Sequence, residues 1–240
     1  MISTHRVTSA FDHFTSTAAS FVRGQSGARV GALGPRPLEP FLLWEFEACP
    51  FCRKVREALS ILDLDALVFP CPRGGTRFRD EARARGGKTQ FPFLVDPNAD
   101  DRALYESDAI IAYLFARYGH GRAPRRLTLG PLTLATSALA SGLRLPRGRA
   151  ARPSRAPDAP LELFAHEASP DARLVREVLC ELELPHLSRS CAEGSPTRDA
   201  LRTHHGDVAL PFLHDPSAGV SIHGARDVIA HLERTYALPA

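Results

Sequence analysis

The hydrophobic positions of the chain fall into two series built on one plan. In the first, residues 41–46 form a short apolar run that reads as a strand. Pro50 opens a segment in which Val55, Leu59 and Leu62 recur at helical spacing, and a second strand is expected near residues 67–69. Residues 76–85 read as a polar helix stopped by Gly86 and Gly87. Residues 93–95 and 103–105 read as a hairpin around 98–101, and 108–118 as a closing amphipathic helix. The second series begins with an apolar run at 161–165, followed by Pro170 and a face of Val175, Leu179 and Leu182. Each series predicts the order βαβαββα, so the fold class is α/β with two tandem units, each a mixed sheet with helices on its faces.

The two series also match residue by residue. Glu47-Ala48-Cys49-Pro50 returns as Glu167-Ala168-Ser169-Pro170, at an offset of 169 − 49 = 120. Arg53, Val55, Arg56, Glu57 and Leu59 return at the same offset as Arg173, Val175, Arg176, Glu177 and Leu179. Phe91-Pro92-Phe93-Leu94 and Asp96-Pro97 return as Leu210-Pro211-Phe212-Leu213 and Asp215-Pro216, where a loop deletion of one residue gives 211 − 92 = 119. Ahead of each series stands a helix-forming stretch and a Gly/Pro/Arg strap: 11–22 with 23–40, then 132–143 with 146–160. Because this pair repeats too, it reads as part of the duplicated unit; a tail and a flexible linker are the alternative. The expected organisation is 1–37 helix and strap, 38–119 first unit, 120–158 helix and strap, and 159–240 second unit.

Composition narrows the function. Thirty basic and 27 acidic residues give a net charge of +3, and no arginine cluster is interleaved with aromatics, so nucleic acid is not an expected partner. Five cysteines, of which only Cys49 and Cys52 are close in sequence, argue against a disulfide-stapled secreted scaffold and for a reducing compartment, the cytoplasm. The N-terminus lacks the apolar core of a signal peptide; Phe11, Phe14, Ala18 and Phe21 recur instead at helical spacing. Residues 127–143 are uncharged but contain Gly130, Pro131 and Gly142, and are short against the about 20 residues that cross a bilayer. A packed helix is expected there. An interfacial membrane role stays open, because Arg122, Arg125 and Arg126 precede the stretch and Arg144, Arg147 and Arg149 follow it.

The chemistry sits at Cys49-Pro50-Phe51-Cys52. A thiol at a strand-to-helix junction meets unpaired backbone N–H groups and the positive end of the helix dipole, which favour the thiolate. Cys49 is therefore the expected nucleophile, open to solvent, and Cys52, one turn on, the resolving thiol. Arg53 and Arg56 are expected to add positive charge nearby. Half of a zinc site is the alternative, but no second Cys or His pair stands at ligand spacing, and no metal is expected. Cys71 and Cys191 fall at matching places and read as buried small residues, with a redox role for Cys71 as the alternative. The ten histidines, His204 and His205 included, form no ligand pattern and read as surface residues.

The run from Trp44 to Cys52, then Phe91-Pro92, then Tyr105-Glu106-Ser107-Asp108-Ala109-Ile110, resembles the N-terminal domain of glutathione transferases and its glutaredoxin-like relatives. Omega-type transferases and the soluble domain of the membrane-associated prostaglandin E synthase are the nearest in character. The resemblance covers about 80 residues of each unit. It implies that Pro92 is cis, that the Phe91 backbone pairs with the cysteinyl part of glutathione, and that Glu106 and Ser107 hold its γ-glutamyl end. Phe51 joins the expected glutathione contacts, with Lys88 as the candidate for the glycine carboxylate. A Pro after a helix and before a strand suits a cis bond, and the turn exposes backbone groups to an extended peptide. Ser107 is also expected to cap the last helix, a role that by itself explains the Glu106–Ser107 pair.

Two departures bear on activity. Transferases build the second substrate's pocket from an all-helical domain, whose place is taken here by a second thioredoxin-like unit. That unit has lost the chemistry: Ser169 and Ala172 replace both cysteines, and Gly224 and Ala225 replace Glu106 and Ser107. The expected function is a glutathione-dependent thiol–disulfide oxidoreductase acting on disulfide or glutathionylated protein substrates, with a non-catalytic second unit. A glutathione-binding transferase or isomerase, and a thiol sensor that binds a protein, are the alternatives.

Overall fold

The computed structural model describes residues 9–239. The first unit comprises β1 (Phe41–Glu45), α2 (Pro50–Leu62), β2 (Ala66–Pro70), α3 (Arg79–Gly86), β3 (Phe93–Asp96), β4 (Arg102–Leu104) and α4 (Ser107–Tyr118). The second repeats it with β5 (Leu161–Ala165), α7 (Pro170–Glu181), β6 (His186–Ser190), α8 (Pro196–His205), β7 (Phe212–Asp215), β8 (Val220–His223) and α9 (Ala225–Tyr236). Ahead of the units lie α1 (Ala10–Val22) and the pair α5 (Arg125–Thr128) and α6 (Pro131–Gly142). The predicted elements are present within a few residues; the short α5 and a 3-10 turn at Pro97–Ala99 had no counterpart in the sequence reading.

In each unit the first two strands are parallel and the hairpin runs antiparallel beside the first strand, giving the order β4-β3-β1-β2 and its mirror β6-β5-β7-β8. The two halves then fuse. β2 pairs antiparallel with β6, Leu67 opposite Leu187 and Val68 opposite His186, so one eight-stranded sheet crosses the molecule. Each unit thereby covers the strand edge that the other would leave open to aggregation. Each also keeps its own apolar core, one around Leu43, Val55, Leu94 and Leu114, the other around Leu163, Val175, Leu213 and Leu232.

The repeated Asp-Pro after the third strand has a structural cause. Asp96 is fully buried and accepts hydrogen bonds from the Tyr113 and Tyr118 hydroxyls of α4, both at 2.6 Å. Asp215 does the same with Tyr236 and His231 of α9, both at 2.7 Å. Each carboxylate ties its hairpin to its closing helix, and in each case hydrogen bonding outweighs burial and holds the carboxyl below the usual range.

The straps are ordered by backbone bonds. Val30 N–H donates to the Glu193 carbonyl (2.9 Å) and Gly31 N–H to that of Ile61 (2.7 Å); the second strap answers with Arg73 to Arg149 and Arg152 to Glu181, both 2.7 Å. The helices ahead of them are exchanged: α1 packs on α7 of the second unit, α6 on α2 of the first, and α1 and α6 touch each other. Ser16 and Ser20 hydroxyls donate to the carbonyls of Pro170 (2.8 Å) and Ala168 (2.7 Å), and Ser137 donates to that of Pro50 (2.7 Å). The faces that α1 and α6 bury are therefore polar and small, the reverse of the usual core-facing stripe.

Candidate active site

Cys49 is the N-cap of α2 and Pro50 its first helical residue. The Cys49 sulfur accepts from the Cys52 backbone N–H at 3.3 Å. Ser169 holds the corresponding place in α7, accepting from Ala172 N–H at 3.1 Å, so the second unit kept the cap and lost the thiol. Hydrogen bonding from the Cys52 thiol, against the pull of burial and with help from the Cys52 and Phe51 backbone N–H groups, lowers the pKa of Cys49. Burial, with its hydrogen bond to Cys49, pushes the Cys52 thiol well above its ordinary value. The two thiols are thus shifted in opposite directions, Cys49 down and Cys52 up.

Two expectations about this site are corrected. Cys49 is not open to solvent: it retains 3 % exposure, because it is folded into the cap rather than standing clear of it. Nor do Arg53 and Arg56 face the thiolate. Both point to the seam between the units, where Arg56 pairs with Glu45, with Glu47 (3.2 Å) and with Glu167 (3.0 Å), and Arg53 pairs with Glu167 (3.3 Å). Arg176 of the second unit joins the same cluster through Glu47 (3.1 Å) and Glu167 (2.9 Å). On its flanks Arg23 grips Glu57 and Arg144 grips Glu177, each with two bonds of 2.7 Å.

The glutathione candidates are spread along one end of the first unit. The Phe91–Pro92 bond is cis, as is Leu210–Pro211, and a further cis bond at Leu145–Pro146 had no forecast. The Phe91 ring packs edge-on to Phe46, with the Arg79 guanidinium 5.2 Å above it. Arg79 is anchored on the Cys71 and Pro72 carbonyls, which makes it a second basic candidate that the sequence reading missed. Lys88 is exposed, its ammonium 4.7 Å from the centre of the Tyr105 ring. Phe51 is 43 % exposed beside the thiol, an uncovered aromatic within the motif itself.

Glu106 and Ser107 differ in detail from expectation. Ser107 is the first residue of α4, and the cap position falls to Glu106, which makes no side-chain cap bond. The reason is the backbone: Glu106 sits at φ 63°, a left-handed conformation that ends the strand one residue earlier. The matching residue of the second unit is Gly224, at φ 81°. A non-glycine residue held there is a strain found mostly at functional sites. Its exposed carboxylate accepts from the Gln90 side chain at 2.6 Å, a neighbour that the sequence reading also missed.

Cys71, Cys180 and Cys191 are buried, and burial raises the pKa of each, Cys191 to about 12. They are inert positions in the fold, and among the described residues no group of His, Cys, Asp or Glu is arranged to hold a metal ion. His204 and His205 are exposed, but the surface reading fails for His186 and His231, which the fold buries.

The seam between the units encloses a cavity of about 40 Å³ lined by apolar side chains such as Leu43, Leu59 and Val68 together with Glu45, Arg56, His166, Glu167, Arg176, His186 and three serines. It has room for a few waters and none for a tripeptide. Burial raises Glu45 to about 7, with Arg56 opposing, and burial lowers His166 and His186 to about 4. A histidine whose folded pKa lies below its unfolded value takes up its proton first in the unfolded chain, so stability falls as pH drops from 6.5 toward 4. His186→Gln removes that loss. The stability difference between wild type and variant is expected to shift by about 3 kcal/mol in the variant's favour between pH 7 and pH 4, read from urea unfolding. An unchanged difference would show that the fold does not lower the pKa of His186.

With this geometry the chain matches the family model for the glutathione S-transferase N-terminal domain twice, over residues 43–124 and 163–240. It belongs to that family, as a tandem of two such domains. No curated protein and no solved structure gives a significant match to the chain.

Proposed function

We propose that the first unit is a glutathione-dependent thiol–disulfide oxidoreductase centre and that the second is its non-catalytic support. The observation that carries this reading is the division of the two thiols at the start of α2, one lowered and one raised. Family membership supports glutathione as the small thiol. Cys49 thiolate attacks the glutathionyl sulfur of a mixed disulfide; the new S–S bond joins Cys49 to glutathione and the substrate sulfur leaves as a thiolate that takes a proton from water. A second glutathione thiolate then attacks the glutathionyl sulfur and releases oxidised glutathione and Cys49 thiolate. Alternatively Cys52 gives up its proton and attacks Cys49, forming the Cys49–Cys52 disulfide and releasing reduced glutathione.

The Phe91 backbone before Pro92, the exposed Phe51, the Glu106 carboxylate and the α4 N-terminus at Ser107 would position the tripeptide, with Lys88 or Arg79 at its glycine carboxylate. Because Cys49 is almost closed to solvent, a substrate sulfur reaches it only when a neighbouring side chain gives way. The transferase alternative has no helical second domain to build its electrophile pocket. Isothermal titration is expected to give one glutathione per chain, and a coupled assay to give turnover on a glutathionylated peptide with none on an electrophile acceptor. Two sites per chain would return the second unit to function, and conjugation without reduction would favour the transferase.

A further inference from the structure

Helices α1 and α6 are inside out. On α1 the residues turned to the protein are Asp12, Thr15, Ser16, Ala19 and Ser20, while Phe11, Phe14 and Phe21 are 72 %, 70 % and 67 % exposed. On α6 the buried set is Thr133, Ser137, Ala140 and Ser141, while Leu132 and Leu139 are 60 % and 56 % exposed. Both helices rest on the layer formed by α2 and α7 and touch each other, so their outward sides make one surface. Its centre is apolar: the one acidic residue of α1, Asp12, is buried under Arg144 and Arg147, α6 has no charged residue, and the half-exposed His13 of α1 pairs with Asp171 of α7 at 3.1 Å. Contiguous apolar surface of this kind marks a docking face.

The charge around this face says what it meets. From Ala109 to Pro157 the chain has nine arginines and no acidic residue. Arg122, Arg125 and Arg126 stand exposed before α6 and Arg149 stands exposed after it, next to the uncovered Leu143 and Leu145. A second copy docked on this face would bring arginine rims together with no acidic partner from the same segment. An anionic lipid headgroup layer is complementary to the rim, and the acyl boundary to the phenylalanines and leucines. α1 is about 20 Å long, suited to lying in the interface, and no described helix is long and apolar enough to cross a membrane.

We propose that the α1–α6 face seats the protein peripherally on an anionic lipid surface, with the polar sides of both helices sealed against the fold. The proposal stands apart from the redox reading, and its test uses no activity assay. The full chain is floated with phosphatidylglycerol–phosphatidylcholine vesicles and with pure phosphatidylcholine vesicles. Wild type is expected to float with the anionic vesicles only, and less so as salt rises. Each arginine near such a surface is worth roughly fivefold in partition, so Arg125→Gln with Arg126→Gln is expected to weaken binding roughly 25-fold. Phe14→Asp with Leu139→Asp, both outward-facing, is expected to abolish it; because the arginine variant leaves the apolar face intact, failure of the Asp variant to fold would not remove the test. Failure of wild type to bind the anionic vesicles overturns the proposal, as does equal binding to neutral vesicles. A wild-type dimer that Leu139→Asp splits, without vesicle binding, would assign the face to a second copy instead.

Discussion

Glu167→Ala is expected to lower the unfolding free energy by about 3–5 kcal/mol, the loss typical when one partner is removed from a buried ion pair. Glu167 is buried and faces three guanidinium groups, Arg53 at 3.3 Å, Arg56 at 3.0 Å and Arg176 at 2.9 Å. Burial opposes its charge, but Arg176, Arg56 and Arg53 outweigh that and hold its carboxyl far below the usual range. Without it, those three guanidinium groups are left with Glu47 and Glu45 as their remaining carboxylate partners. Arg173, already lowered to about 9 by burial and then by Arg53, would lose a compensating charge as well. Because the cluster joins residues of α2 with the segment before α7, the loss should appear as unfolding of both units together. Glu193→Ala is the control: its pair with Arg29 is exposed, and such pairs are worth less than about 1 kcal/mol. Equal urea midpoints for the two variants would contradict a stabilising role for the buried cluster.

Cys49→Ser is expected to reduce turnover of a glutathionylated peptide to the buffer background, while Cys52→Ser stays within roughly tenfold of wild type because external glutathione resolves the intermediate. The asymmetry follows from the cap. Only the Cys49 sulfur receives both the Cys52 thiol and backbone N–H groups, and Cys52 is fully buried with its pKa raised. The nucleophile is present above the Cys49 pKa, so the wild-type rate should rise with pH through a midpoint below the about 8.5 of a free cysteine. A midpoint at or above that value would mean that burial wins over hydrogen bonding at Cys49. Equal loss in both variants would make the resolving thiol obligatory and exclude release by external glutathione.

Much of this organisation was legible in the chain. The pairs Cys49/Ser169, Pro92/Pro211 and Asp96/Asp215 recur because each does the same backbone work in its unit: capping a helix, turning into a strand, tying a hairpin to a helix. Periodicity failed where it reports a face without saying what lies on each side. The stripe of Phe11, Phe14 and Phe21 specifies a helix, but serine hydroxyls that donate to carbonyls of another element decide which side is buried. The β2–β6 seam was hidden for a related reason, since residues 67–69 read as a strand without naming a neighbour. Arg53 and Arg56 looked like cations near a thiolate. The signal that could have corrected this was on the page: the repeat keeps Glu47, Arg53, Arg56 and Glu57 in register while discarding both cysteines, so those charges serve the structure shared by the two units rather than the chemistry of one.

Intact-mass analysis after exposure to oxidised glutathione tests the assignment of the nucleophile most directly. The Cys52→Ser protein is expected to gain one glutathionyl group, mapped to Cys49 by peptide digestion, and the Cys49→Ser protein none. An adduct on Cys52 in the Cys49→Ser protein, or no adduct on either, would contradict a redox centre built on Cys49.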